Sequence, residues 1–232
     1  MKPAIIIPAY NHGAQLAAVI AGAARLHMPI FVIDDGSTDE TAEILAATPG
    51  IDIIRHEINR GKGAALLSGF AAAHGAGCDA AITIDADGQH DPADAEKVLA
   101  AATRRPCLVV GSRQDMLASR NVPWTSRFGR HFSNFWVWSA GGPLIADSQS
   151  GFRLYPLPET STLGVRARRY QFEVEVLVKA RQHGIDIREA PITVVYQKGP
   201  ERVSHFKPWG DFWRNSATFT RLIFARIFRI GR

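Results

Sequence analysis

The sequence predicts an α/β protein built on a mostly parallel sheet. Short apolar runs alternate with helical stretches from Ala4 to Gly111, which is the pattern of βαβ units. Polar clusters also follow the apolar runs: Tyr10-Asn11, Asp34-Asp35-Gly36-Ser37, Asn59-Arg60-Gly61-Lys62-Gly63 and Asp85-Ala86-Asp87. In such sheets ligands bind outside the carboxyl ends of the strands. One sheet edge is therefore expected to carry a nucleotide site.

The elements follow in order along the chain. Ala4-Ile5-Ile6-Ile7-Pro8 is a short apolar strand, and Ala14 to Leu26 reads as a helix. Pro29 to Ile33 is a second strand closed by Asp34-Asp35-Gly36-Ser37; the next helix takes Ser37 or Thr38 as its N-cap. Ile51 to Arg55 is a third strand, and Gly61-Lys62-Gly63 opens the helix through Ala64–Ala73. Ala80 to Ile84 is the fourth strand, Asp91-Pro92 starts a helix over Ala93–Ala102, and Leu108 to Gly111 is the fifth strand. Beyond Gly111 the pattern loosens. A strand at Phe152–Tyr155, a helix from Phe172 to His183 and a last strand at Ile192–Tyr196 are expected.

The chain has 232 residues, 46% of them apolar, enough for one large or two small domains with a sizeable core. A net charge of +5 and a pI near 9.5 point to an anionic partner. The excess crowds the C-terminus, from Lys198 and Arg202 to Arg229 and Arg232. Cys78 and Cys107 have no C-x-x-C spacing and read as reduced buried thiols of a cytoplasmic protein. The opening apolar run is too short for a signal peptide. No run reaches the roughly 18 residues of a membrane span, so a soluble or peripheral chain is expected. No recognised nucleic-acid module is visible, and nucleic acid is not an expected partner.

Ala81-Ile82-Thr83-Ile84-Asp85-Ala86-Asp87-Gly88-Gln89 carries the most chemistry. Residues i and i+2 of a strand share a side, so Asp85 and Asp87 can converge where the strand ends. Two nearby carboxylates repel unless a cation sits between them, and oxygen donors suit Mg²⁺ or Mn²⁺ shared with substrate phosphates. The plainer reading is an Asp-Gly turn with solvated acids.

Pro8-Ala9-Tyr10-Asn11, Asp34-Asp35-Gly36-Ser37, Asn59-Arg60-Gly61-Lys62-Gly63, Asp85-Ala86-Asp87-Gly88-Gln89 and Asp147-x-x-Ser150-Gly151-Phe152-Arg153 stand in the order seen in family 2 glycosyltransferases. The chain most resembles the branch of dolichol-phosphate mannose synthases and bacterial polyprenyl-phosphate sugar synthases, from about Ala4 to about Tyr196. The resemblance implies a glycosyltransferase A-type fold with a Rossmann-like, mostly parallel sheet flanked by helices. It also implies a nucleotide-diphosphate sugar donor, a Mg²⁺ or Mn²⁺ ion and an inverting hexosyl transfer. Pro8, Ala9, Tyr10, Asn11, Asp35, Ser37, Lys62 and Asp85 would then bind donor, and Asp85, Asp87 and Gln89 would bind metal. Asp34 can equally brace its loop, and Lys62 can equally be a solvated lysine at a helix entry. Arg113 and Arg127 match basic residues around the acceptor phosphate and the sugar diphosphate, a task that suits the planar, always charged guanidinium. Both arginines can alternatively line an amphipathic helix.

A hydroxyl acceptor needs a base, whereas a lipid phosphate is already an anion. Asp147 and Glu173 are the candidates if a base is used, with loop bracing and a polar helix face as their plainer roles. The catalytic set expected is Asp87, Arg113, Arg127 and Asp147. The branch usually carries a Gly-Glu-Ser-Lys-like segment after its last strand. Here His205 stands in place of the lysine, and Arg202 and His205 are the substitute phosphate or leaving-group contacts. A single domain is expected over 1–210, with a donor half to about 112 and an acceptor half over 113–210. Residues 211–232 form a basic amphipathic helix that either anchors at a membrane surface or packs on the domain. Together these readings place the chain at the inner face of a cell-envelope membrane as a peripheral enzyme with a lipid phosphate acceptor; the alternatives are the same donor chemistry on a glycolipid or polysaccharide hydroxyl, and a non-catalytic membrane-associated nucleotide-sugar-binding module.

Overall fold

The apolar strands alternate along one sheet with two buried faces. A computed structural model describes residues 1–103, 105–113, 124–194 and 208–228. Its strands are β1 (Pro3–Ala9), β2 (Ile30–Asp34), β3 (Asp52–Arg55), β4 (Ala80–Thr83), β5 (Cys107–Ser112), β6 (Arg153–Pro156) and β7 (Asp186–Pro191). They form a seven-stranded sheet in the order β3-β2-β1-β4-β6-β5-β7. Strand β6 runs antiparallel to β4 and β5, and the other neighbours are parallel. The sheet is thus mostly parallel, as expected.

Successive residues of β1 and β2 serve opposite faces. Ile6, Phe31 and Ile33 pack with Leu66 and Phe70 of α3 (Lys62–Gly75) and with Phe172 and Leu177 of a later helix. Ile5, Ile7 and Val32 pack with Leu16 and Ile20 of α1 (Gly13–Ala24), Leu45 of α2 (Thr41–Ala46) and Val98 of α4 (Ala95–Ala101). Each such fully buried side chain contributes about 1.5–3 kcal/mol. Two-sided burial explains why these strands read as continuous apolar runs. That later helix is one of three that join α3 over the face of Phe31 and Ile33: α5 (Trp124–Ser139), α7 (Phe172–Gln182) and α8 (Pro208–Ile227). The short α6 (Glu159–Thr162) follows β6.

Two local expectations are corrected. Helix α2 starts at Thr41, and Ser37 caps nothing there: its Oγ accepts from the Asn11 amide at 3.0 Å. Asp39 instead accepts from the amides of Thr41 at 3.1 Å and Gly13 at 3.2 Å. Among the described residues the last strand is Asp186–Pro191, and of the stretch expected from Ile192 to Tyr196 the described part, Ile192–Val194, makes only an isolated bridge. Polar residues suit an edge strand, and β7 pairs along its length with β5. Ile192 packs against Gly111 and Val194 bridges to His90, while Val195 and Tyr196 lie outside the described residues. Pro92–Asp94 is a 3-10 turn ahead of α4, capped by Asp91 accepting from the Ala93 amide at 2.9 Å.

Candidate functional site

The parallel strands β1, β2, β3, β4 and β5 deliver their C-terminal loops to one edge, and the reversed β6 starts there. The expected clusters of the donor half therefore meet the Asp147–Phe152 loop. Three layers of polar contacts build the edge.

The first lies over β1 and β2. Asn11 has a left-handed backbone (φ 53°), which its short polar side chain tolerates. Its amide donates to Ser37, and its Oδ1 accepts from the Thr38 amide at 2.8 Å, tying the Pro8–Asn11 loop to the Asp34–Ser37 loop. Asp34 is wholly buried and accepts from the Ser37 amide at 2.8 Å; its second oxygen forms an ion pair with Arg55 Nε at 3.3 Å. Asp35 is also buried, accepting from the amides of Arg60 (3.0 Å) and Gly61 (2.7 Å) and pairing with His56 at 2.6 Å.

The second layer centres on Lys62. Its Nζ lies 2.6 Å from both Asp85 Oδ1 and Glu173 Oε1, so it bridges the ends of β4 and α7. Burial opposes its charge, but these two carboxylates outweigh that and hold it well above the usual lysine range. Burial likewise opposes ionisation of Asp85, yet Lys62 and then His90 keep it below the ordinary value. Asp87 behaves oppositely: burial and then the charge of Asp85 push it up. Gln89 joins this turn by donating its amide to Asp87 Oδ1 at 3.0 Å.

Among the described residues no three His, Cys, Asp or Glu side chains converge on one metal position. Asp85 and Asp87 nevertheless fit a hard divalent cation. They are oxygen donors, Asp87 has no ion-pair partner among the described residues, and their mutual repulsion is what a cation relieves. Such an ion commonly takes one or two protein carboxylates and completes its shell from water and substrate phosphates.

The third layer borders the loop before β6. Arg113 grips the wholly buried Asp147 with both ends of its fork, Nε to Oδ2 at 2.5 Å and Nη2 to Oδ1 at 2.8 Å. Although burial opposes it, this pairing holds the Asp147 carboxyl below its ordinary value. Arg130, buried on α5, donates to the Arg113 carbonyl at 3.5 Å. Asn134 fixes the same loop by donating to the Ala146 carbonyl (2.7 Å) and accepting from the Ser148 amide (2.9 Å). Arg153 is fully buried and donates to the carbonyls of Ser148 (2.8 Å), Ser150 (2.6 Å) and Glu173 (2.7 Å).

The geometry brings Tyr10, Asn11, Asp35, Ser37, Lys62, Asp85, Asp87, Gln89, Arg113 and Asp147 to one edge. Arg127 falls on α5, but its side chain lies outside the described residues, as do Arg202 and His205. Three participants were not singled out from sequence. His56 pairs with Asp35. His90 is buried, and its pKa is lowered by that burial although Asp85 and Asp87 oppose the shift. Glu189 accepts from the Ala146 amide at 2.9 Å and is pushed up by burial. Their position directly after or between polar clusters was the available signal for the two histidines; β7 gave none for Glu189.

The model of glycosyl transferase family 2 matches residues 4–157. The chain is 32% identical over 218 residues to a UDP-N-acetylglucosamine–dolichyl-phosphate N-acetylglucosaminyltransferase of Methanococcus voltae, covering 83% of this chain and 85% of that one. It is 30% identical over 207 residues to a polyprenol monophosphomannose synthase of Mycolicibacterium smegmatis, covering 82% and 76%. A crystal structure of 4-diphosphocytidyl-2C-methyl-D-erythritol synthase shares the fold, with a TM-score of 0.52 at 11% identity over 93% of this chain and 99% of that one. The chain belongs to glycosyl transferase family 2, as its ordered strand-end motifs predict.

Proposed function

We propose that this enzyme moves a hexose from a nucleotide-diphosphate sugar to a polyprenyl phosphate, with inversion, at the cytoplasmic face of a membrane. One observation carries the acceptor class: both acids expected as possible bases are held by cations. Asp147 is gripped by Arg113 and Glu173 is bonded to Lys62. A carboxylate held below its ordinary pKa by a bidentate arginine is a poor proton acceptor. An acceptor that already carries its charge needs none. The names of the relatives that act on dolichyl phosphate, and of the polyprenol monophosphomannose synthase, agree with this reading.

The chemistry is a single displacement. A phosphate oxygen of the acceptor bonds to the anomeric carbon as the bond to the nucleoside diphosphate breaks, and no proton need be removed. Asp85 and Asp87, with Gln89, are the residues that would hold Mg²⁺ or Mn²⁺. When bound, that ion would neutralise the leaving diphosphate. The loops of Pro8–Asn11 and Asp35–Ser37 would hold the nucleoside, and Lys62, paired with both Asp85 and Glu173, would fix Asp85 beneath the diphosphate. Arg113, oriented by Asp147, and Arg127 would face the acceptor phosphate, with Arg202 and His205 as its further contacts.

Peripheral membrane docking belongs to the same proposal. Phe135 and Trp138 of α5, Leu144, and Phe224 and Ile227 of α8 are exposed. The two helices are joined where Arg226 donates to the Ser139 carbonyl at 2.7 Å. Among the described residues no helix is long and apolar enough to cross a membrane. The test is transfer from radiolabelled UDP-, GDP- and dTDP-sugars to polyprenyl phosphate in detergent, with and without Mn²⁺. A metal-dependent, lipid-extractable product is expected; donor hydrolysis with no lipid product would remove the acceptor assignment.

A further inference from the structure

His56 follows β3 directly and is only 6% exposed. None of the roles above uses it. Its ring links two groups in line: Nδ1 lies 2.6 Å from Asp35 Oδ1, and Nε2 lies 3.0 Å from Ser68 Oγ on α3. An ionised carboxylate only accepts, so Nδ1 carries the proton. Nε2 meets the Ser68 hydroxyl, which can either donate or accept.

Asp35 also accepts from the backbone of the next loop, through the amides of Arg60 and Gly61 at 3.0 and 2.7 Å, which leaves one acceptor site on Oδ2. That loop is closely seated. A Cβ on Gly36 would fall 2.6 Å from the Ile58 carbonyl carbon and 2.7 Å from the Asn59 nitrogen. Gly61 takes a φ of 94°, and Lys62 comes next in the chain. The chain of contacts therefore runs from Ser68 through His56 and Asp35 to two amides, and then to the lysine that meets Asp85 and Glu173.

We propose that His56, backed by Ser68, is a positioning residue for the donor site. It holds the Asp35 carboxylate against the Arg60 and Gly61 amides, and so sets where Lys62 enters. The role in donor binding rests on the donor reading above; the mechanical link from His56 to the loop does not. A histidine that merely fills space beside β3 would not depend on which ring nitrogen is retained.

That difference gives the test, made on the full chain. Asparagine places its amide nitrogen near the position of Nδ1, whereas glutamine reaches towards Nε2. Amide hydrogen exchange at Arg60 and Gly61 is measured by NMR in wild type, His56→Asn and His56→Gln, each relative to the core amide of Ile6. UDP and GDP affinities are measured calorimetrically on the same samples. His56→Asn should keep slow exchange at both amides and nucleotide affinity close to wild type. His56→Gln should exchange about tenfold faster or more there and bind nucleotide about tenfold more weakly, the loss expected for a hydrogen bond to a charged group. Equal exchange in the two variants would overturn the proposal, as would unchanged exchange in His56→Gln. If wild type binds neither nucleotide, the donor reading fails, while the exchange comparison still decides the link from His56 to the loop.

Discussion

At Gly151 the site leaves no room for a side chain. A Cβ there would collide with an Asp85 carboxylate oxygen and stand 2.6 Å from Lys62 Nζ. Gly151→Ala should therefore displace the Lys62–Asp85 pair and weaken nucleotide-sugar binding by about tenfold, measured by calorimetry, a loss expected for a charged hydrogen bond. Asp147 is the second sensitive residue. Asp147→Asn leaves Arg113 with a neutral partner and should lower stability by about 3 kcal/mol, as breaking a buried ion pair does. The sign with pH follows from the direction of its shift. Its folded pKa lies below the unfolded value, so the pair stabilises fully above about pH 4 and fades as pH falls through the lowered value. Urea unfolding across pH 3 to 7 should show a shallower acid decline in the variant than in wild type. The sequence made the acids legible because they follow apolar strands, where residue type and spacing speak directly. It did not show that Lys62 would meet Glu173, since that contact spans 111 positions and depends on how α7 packs.

Among the elements, α8 best shows where pattern alone stops. Its amphipathic spacing is plain in sequence, but two partners compete for the apolar face. The structure divides the helix: Phe219 and Leu222 are buried, Phe219 stacks on Trp136 at 6.2 Å, and Arg221 pairs with buried Glu175 at 2.7 Å. Phe224 and Ile227 stay exposed. Phe219→Ala should thus cost about 3–5 kcal/mol in unfolding free energy, as for other core phenylalanines. A Phe224→Ser, Ile227→Ser double variant should unfold within about 0.5 kcal/mol per site of wild type, as surface changes do, but bind anionic vesicles more weakly in a flotation assay. Equal vesicle binding would leave these side chains no membrane role. The last strand among the described residues departs from the apolar pattern for a related reason. Ile192-Thr193-Val194-Val195-Tyr196 has the apolar composition of a strand, whereas Asp186–Pro191 takes the ladder because it lies beside β5 at an edge that admits polar residues.

On the scale of the whole molecule, reversal of β6 decides the outcome. A sheet of parallel strands alone would collect only the donor loops at its C-terminal edge. Pairing β6 antiparallel to β4 and β5 brings the Asp147–Phe152 loop to the same edge, so Arg113–Asp147 and Lys62–Asp85–Glu173 become parts of one site. The sequence showed the alternation that makes the sheet but not the direction of β6, which four residues of strand do not encode. In the proposed reaction the acceptor arrives as an anion, and no protein base activates it. The most direct measurement offers purified enzyme polyprenyl phosphate and the corresponding polyprenol side by side, with the preferred nucleotide sugar and Mn²⁺. Glycosylated lipid from the phosphate and none from the alcohol is the result expected of this mechanism. Transfer to the alcohol at a comparable rate would contradict it, because that reaction requires a base that the ion-paired Asp147 and Glu173 do not supply.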